Sequence, residues 1–214
     1  MMERSSEESI MDILKKLNEI DYIDPDEIPS IDLYMDQVTT FMESKLKNTS
    51  RNPEADKILT KTMINNYAKN DLLPPPVKKK YSKEHVLMLI FIYYYKSILS
   101  INDIQTLLKP ISDRYFQSGE GLNLSDVYEE IFGLEKSQVE SMKKDILEKF
   151  EISRETFKDA PSEDQEFLQL FSFIGLLSFD VYVKKLLIEK MVDTFGSAAS
   201  EGDEKQKGKE KKDK

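Results

Sequence analysis

Three consecutive prolines, Pro74, Pro75 and Pro76, interrupt a chain otherwise patterned for helix. Each proline lacks an N–H and holds φ near −65°, so a run of three imposes extended backbone and fixes where the flanking helices end and begin. Lys78, Lys79 and Lys80 follow at once, then Tyr81 and Ser82. Ser82 is a good N-cap for a helix over 83–98, whose stretch 86–95 is apolar on nearly every side and is expected at the centre of the core. Upstream, a helix beginning near 56 or 60 and reaching 70 should bury Ile58, Leu59, Met63, Ile64 and Tyr67.

The rest of the chain reads as helices and loops. Ile10, Ile13, Leu14, Leu17 and Ile20 share one face of a helix over 8–20, followed by an acidic linker with Pro25 and Pro29. Asp32 is the expected cap of a helix over 32–47 with Leu33, Val38, Phe41, Met42 and Leu46 apolar, and 48–53 is rich in turn formers. Ser100 and Asp103 form a capping box for a helix over 101–108 that Pro110 should end, leaving 111–123 irregular. A helix over 134–150 and a last one from Ser162 to about 195, with a break near Gly175 or Asp180, complete the pattern.

No sustained period-2 alternation occurs, so any strands are short and the fold class is all-α. Expected divisions are 1–29, an N-terminal helix and linker; 30–112, a first domain; 113–195, a C-terminal helical bundle; and 196–214, a charged tail expected to be disordered. The apolar stretch 167–179 is read as a buried helix, well short of the ~20 residues that span a bilayer. The charged first nine residues carry no export signal, so the expectation is a cytoplasmic protein with no membrane partner.

Composition excludes several chemistries. With no cysteine and one histidine, His85, the chain lacks a disulfide framework, thiolate zinc and a Ser-His or Cys-His pair. His85, on the first turn of a capped helix, is expected to be exposed. No Gly-rich phosphate loop is present, and no carboxylate pair sits in an apolar setting that would split its pKa values. No cofactor, metal site or enzymatic activity is expected. Tyr93, Tyr94 and Tyr95 lie on the apolar helix and are expected to be core.

The net charge of −9 hides an asymmetry: between residues 45 and 114 there are thirteen Lys or Arg against six Asp or Glu, a local +7 that leaves the remainder at −16. That basic segment contains LTKTMINNYAKNDLLPPPVKKKYSKEHVLMLIFIYYYKSILSINDIQTLL. It orders a polar helix ending at an aromatic and Leu72-Leu73-Pro74, a Pro-Lys connector, a capped apolar helix and a shorter helix closed by a Leu pair. This order resembles the MerR superfamily of winged helix-turn-helix regulators, which implies duplex DNA as partner. The connector is shorter than a usual wing there, lacks its arginines and glycine, and Asn65 and Asn66 replace the Arg and first Tyr of the family's pattern.

The residue types suit DNA. Thr60, Lys61, Thr62, Asn65, Asn66 and Lys69 bring short donors, acceptors and charge to one helix side, and an Asn amide can pair with an adenine edge. Lys78, Lys79, Lys80 and Lys83 would meet phosphates, with hydroxyls of Tyr67 and Tyr81 adding contacts. Alone, a lysine triplet after prolines is usually just a solvated loop. Over a longer span, DLYMDQVTTFM, LTKTMINNYAKNDLLPPPVKKKYS and LSINDIQTLL resemble an uncharacterised bacterial family, domain of unknown function 1836, over most of residues 30–195.

The sequence-level expectation is thus a DNA-binding transcriptional regulator. The apolar stretch 167–195 is expected to make it a homodimer, since one short chain cannot cover it on all sides. The acidic balance favours a rival, a protein-interaction module on a helix-turn-helix scaffold. A third alternative is a sensor whose small-molecule effector fits a pocket lined by Phe167, Phe171, Phe173, Phe179 and Tyr182.

Overall fold

Helix α4 (Lys83–Tyr95) is apolar on every side, and residues 85–92 are all buried, so the other elements must surround it. The computed structural model describes residues 6–17, 23–119 and 121–210, and among these the protein is mostly helical, with seven α-helices and one two-stranded sheet. It forms two compact units: a larger one, Ile23–Glu129 with Lys185–Lys214, and a smaller one, Met1–Tyr22 with Glu130–Lys184.

In the larger unit, β1 (Leu33–Tyr34) leads into α2 (Met35–Leu46), α3 (Lys61–Lys69), β2 (Lys80–Tyr81), α4 and α5 (Ile101–Tyr115). The strands pair antiparallel, Leu33 opposite Tyr81 and Tyr34 opposite Lys80. Asp32 does not cap α2: the chain first makes β1, and the Tyr34 N–H is met by Gln37 Oε1 at 2.8 Å. Ser100 and Asp103 do form their box, with Asp103 N–H donating to Ser100 Oγ at 3.2 Å. Pro110 does not stop α5, which runs to Tyr115. A proline costs a helix one hydrogen bond and some straightness, and the buried Ile104 and Leu108 before it and the half-buried Ile111, Ser112 and Tyr115 beyond it continue the same packed helix.

The supposed acidic linker belongs to this unit. A 3-10 turn over Pro25–Glu27 is capped by Asp24 and places Ile23 and Ile28 in the core, while Glu27 takes a 2.7 Å hydrogen bond from Lys45. That lysine is also the main cause of the Glu27 carboxyl titrating below its ordinary range. Helix α6 (Leu124–Arg154) starts ten residues before its expected origin, because Asn123 Oδ1 accepts from Ser125 and Asp126 N–H while Asn123 N–H donates to Asp126 Oδ2 at 2.8 Å. Its first turns bury Leu124 and Tyr128. The continuous part of the larger unit therefore runs over 23–129, beside the 30–112 read from the sequence.

In the smaller unit, α1 (Ser6–Leu17), the remainder of α6 and the first part of α7 (Ser162–Glu210) meet around Ile10, Leu14, Phe150 and Phe173, with Ile146, Leu170 and Leu177 against them. The expected end of the first helix at 18–20 lies outside the described residues. Gln169 Nε2 reaches back to the Arg154 and Thr156 carbonyls at 2.9 and 3.2 Å, tying the α6–α7 turn. Neither Gly175 nor Asp180 breaks α7. The 167–179 stretch is not the buried helix expected: Phe167 and Phe171 are 68% and 64% exposed. Helix α7 continues to Glu210 through the stretch expected to be disordered, which is rich in the good helix formers Ala, Glu, Lys and Gln.

Candidate nucleic-acid interface

Thr60 opens α3, its Oγ1 accepting from Met63 N–H at 3.2 Å. Ile64 and Tyr67 turn inward, and the 3.6-residue period then sends Lys61, Thr62, Asn65, Asn66 and Lys69 outward as one exposed stripe. At the far end Asp71 takes the left-handed conformation (φ 53°) and Leu72 N–H returns to the Tyr67 carbonyl at 2.9 Å, a Schellman-type stop that aims the chain into the prolines.

After the prolines, Val77 and Lys80 exchange both backbone hydrogen bonds, at 3.1 and 2.9 Å, around a two-residue turn. Its central residues, Lys78 and Lys79, both have positive φ, 50° and 64°, the pattern of a type I′ hairpin usually served by Asn and Gly. Both lysines are exposed at the tip. Lys80 is half-buried, its Nζ 5.3 Å from the centroid of the Tyr34 ring, so strand pairing and a cation–π contact fix the hairpin to the start of α2. Lys83 is half-buried in the first turn of α4.

Two expected contact residues go elsewhere. Tyr67 and Tyr81 are buried, 7% and 3% exposed, where their rings fill space under α3 and β2; burial holds both phenols above their ordinary pKa. Lys61 is on the stripe but is ion-paired with Asp36 of α2. The stripe and hairpin tip thus keep Thr62, Asn65, Asn66, Lys69, Lys78 and Lys79 outward.

The connector over 47–60 is built, not slack, and its ties are residues whose roles sequence reasoning missed. Asp56 Oδ2 accepts from Ser50 Oγ at 2.6 Å and Asn52 N–H at 3.1 Å, and Glu43 accepts from Ile58 N–H at 3.3 Å. Lys96 Nζ donates to the Ile58 carbonyl at 2.9 Å and sits 4.7 Å from the Tyr93 ring, whose Oη lies 2.5 Å from Thr49 Oγ1. Burial lowers the pKa of Lys96. Tyr93 is consequently half-buried and bonded rather than simple core. The Ser-x-Asn-x-x-x-Asp spacing was the available signal for the turn; Lys96 gave none.

His85 is not exposed: at 1% it is among the most buried polar residues. Its Nδ1 accepts from Ser82 N–H at 3.0 Å, completing the α4 capping box and placing the ring proton on Nε2. Tyr81 and Phe116 meet the ring edge-on at 5.5 and 4.8 Å. Burial pushes its pKa down; the carbonyls of Pro75 and Pro74 favour the ring proton, yet lie outside hydrogen-bond geometry, leaving Nε2 buried and unbonded. The aromatics proposed for an effector pocket do not converge, since Phe173 enters the core cluster while Phe167, Phe171, Phe179 and Tyr182 are exposed. No group of three or more potential metal ligands occurs among the described residues. No helix among them is long and apolar enough to cross a membrane.

The molecule is thus a mostly helical protein whose larger unit sets an outward polar helix and a lysine-tipped hairpin on a common frame. The family model described as Domain of unknown function (DUF1836) matches residues 23–131, and the chain belongs to that family. The match ends at 131 rather than 195 and coincides with the continuous part of the larger unit. No curated protein and no solved structure matches the chain.

Proposed function

We propose that this protein is a DNA-binding transcriptional regulator, acting in the cytoplasm through a MerR-like winged helix-turn-helix in which α2 and α3 form the motif and the 77–80 hairpin is a minimal wing. On this reading it is a binder and not a catalyst, and needs no cofactor. One observation carries it: Thr62, Asn65, Asn66 and Lys69 share the exposed side of α3, and Lys78 and Lys79 are exposed at the tip of the hairpin that follows it in the chain. Asn amides suit base edges, while the tip lysines suit phosphates. The connector over 47–60 is far longer than the usual three- or four-residue turn, but the Asp56, Glu43 and Lys96 ties hold it as a rigid insertion.

A random-library selection of duplex DNA followed by titration over a range of salt tests the reading. Replacing Lys78, Lys79 and Lys80 with Ala should weaken binding to all duplexes and flatten the log–log salt dependence by about 0.9 for each phosphate no longer neutralised. Unchanged affinity and slope would remove the DNA assignment. The pairing of Lys61 with Asp36 favours the second reading, a protein-interaction module on the same scaffold, because a carboxylate then stands at the edge of the polar stripe. That reading expects no enriched sequence and a salt-insensitive triple variant.

A further inference from the structure

Helix α7 carries two apolar seams over residues 162–184. On one, Leu170, Phe173 and Leu177 pack toward Phe150, Ile10 and Leu14. On the other, Phe167, Phe171, Ile174, Ser178 and Val181 recur at alternating spacings of four and three, the heptad rhythm of a helix with a partner, and all are exposed. A helix apolar on more than one face belongs in an interior. At about 150–250 Å² per aromatic side chain, the exposed parts of Phe167, Phe171 and Tyr182 come to about 400 Å², and the exposed Ile174 and Val181 enlarge it to the size of a monomer's biggest apolar patch. Two such faces supply the roughly 1,000 Å² that a specific interface requires.

We propose that this second seam is a homodimer interface in which two copies of α7 cross antiparallel about a two-fold axis at Ile174 and Gly175. Gly175 and Tyr182 border that seam, and in the antiparallel direction Phe171 of one copy falls level with Ser178 of the other and Ile174 with Gly175, large beside small around the axis, while Phe167 and Tyr182 meet as an aromatic pair further out. Glycine is disfavoured inside a helix, and a Cβ at Gly175 would touch nothing, so the chain's own packing gives no reason for it. A second backbone in close approach does.

Charge sets the same direction. Glu163 and Asp164 open the helix, and Lys184 lies three turns beyond Ile174. Antiparallel crossing brings the acidic start of one copy to the lysine end of the other, whereas a parallel pair would stack acid on acid. Asp180, 2.8 Å from Lys184, leaves the margin beside the seam mixed in sign rather than uniformly basic, which does not suit a nucleic acid. Among the described residues the smaller unit's buried cluster is small, Ile10, Leu14, Phe150 and Phe173, and a second copy would complete it as a larger helical bundle. The inference is independent of DNA binding.

Because the chain has no cysteine, single thiols report the register directly. Light scattering of the unaltered full chain should give a dimer at micromolar concentration. Under mild oxidation, Ile174→Cys should cross-link to near completion. Phe167→Cys should not cross-link to itself, its two copies lying about 22 Å apart along the axis at 1.5 Å per residue, but should cross-link when mixed with Tyr182→Cys chains. A strict monomer, or self-cross-linking of Phe167→Cys, overturns the proposal.

Discussion

Tyr128 Oη donates a 2.8 Å hydrogen bond to the backbone carbonyl of Ile23, joining two residues 105 positions apart with both side chains buried. The bond closes the larger unit at the two ends of its continuous stretch, so the first turn of α6 and the segment before β1 are parts of one core. The Phe91 ring of α4 meets Tyr128 edge-on at 5.5 Å, which places the closure directly on the central helix.

Removing that hydroxyl should leave a buried carbonyl without its donor, at a cost of about 1–3 kcal/mol. The Tyr128→Phe chain is therefore expected to unfold at lower urea than the parent with an unchanged m-value. A midpoint within error of the parent would mean that the closure is incidental and that the unit ends nearer 112.

The hairpin tip sets stability against binding. A non-glycine residue in the left-handed region costs on the order of 1–2 kcal/mol, and Lys78 and Lys79 both occupy it. Lys79→Gly should leave folding stability unchanged or raise it by up to about 1 kcal/mol, the gain being offset by the freer unfolded chain. If the tip meets phosphates, as proposed, the same substitution should weaken duplex binding. Opposite signs in thermal melting and DNA titration are the expected result, and a variant that loses both would show the lysine side chains supporting the turn itself.

The parts of this arrangement that were legible in the sequence are those fixed by local chemistry. Ser82 and Ser100 announced their helices, and the all-apolar run before Tyr93 announced the core, because caps and periodicity act within a few residues. The Asn123–Asp126 box is equally written in the chain and starts α6 ten residues before the apolar pattern from Leu134 suggests. Pro110 does not end α5, because packing on both sides of it outweighs a single missing hydrogen bond. The fates of Tyr67, Tyr81, Lys61 and His85 depend on β1 and α2 passing nearby. An amphipathic side chain does not reveal from its own position whether its polar end meets solvent, a carboxylate or a backbone N–H.

His85 gives the fold a pH dependence whose sign follows from its surroundings. Burial lowers its pKa in the folded chain below the ordinary 6.5, outweighing the carbonyls of Pro75 and Pro74 and the negative charges of Glu84 and Asp32, which act the other way. The unfolded chain then binds more protons than the folded one as pH falls through the ordinary value, so stability present above that value is lost below it. Protonation of Nδ1 also removes the acceptor for Ser82 N–H. Urea midpoints should fall between pH 7.5 and 5.5, and His85→Gln should flatten that dependence; a wild-type midpoint that rises on acidification would contradict the buried neutral imidazole.

The ion pair between Asp36 and Lys61 separates the two functional readings. Both groups are largely exposed, so the pair contributes little to folding and the Asp36→Asn chain should melt as the parent does. If α3 enters a duplex groove, freeing the Lys61 ammonium adds a cation beside the phosphates, and binding should tighten with a salt slope steeper by up to about 0.9. If the stripe instead receives an acidic or neutral protein surface, the same substitution leaves the weak, nonspecific DNA affinity and its slope where they were. Measuring that slope for Asp36→Asn beside Lys61→Ala, which should shift it the opposite way or not at all, decides whether the polar side of α3 faces a nucleic acid.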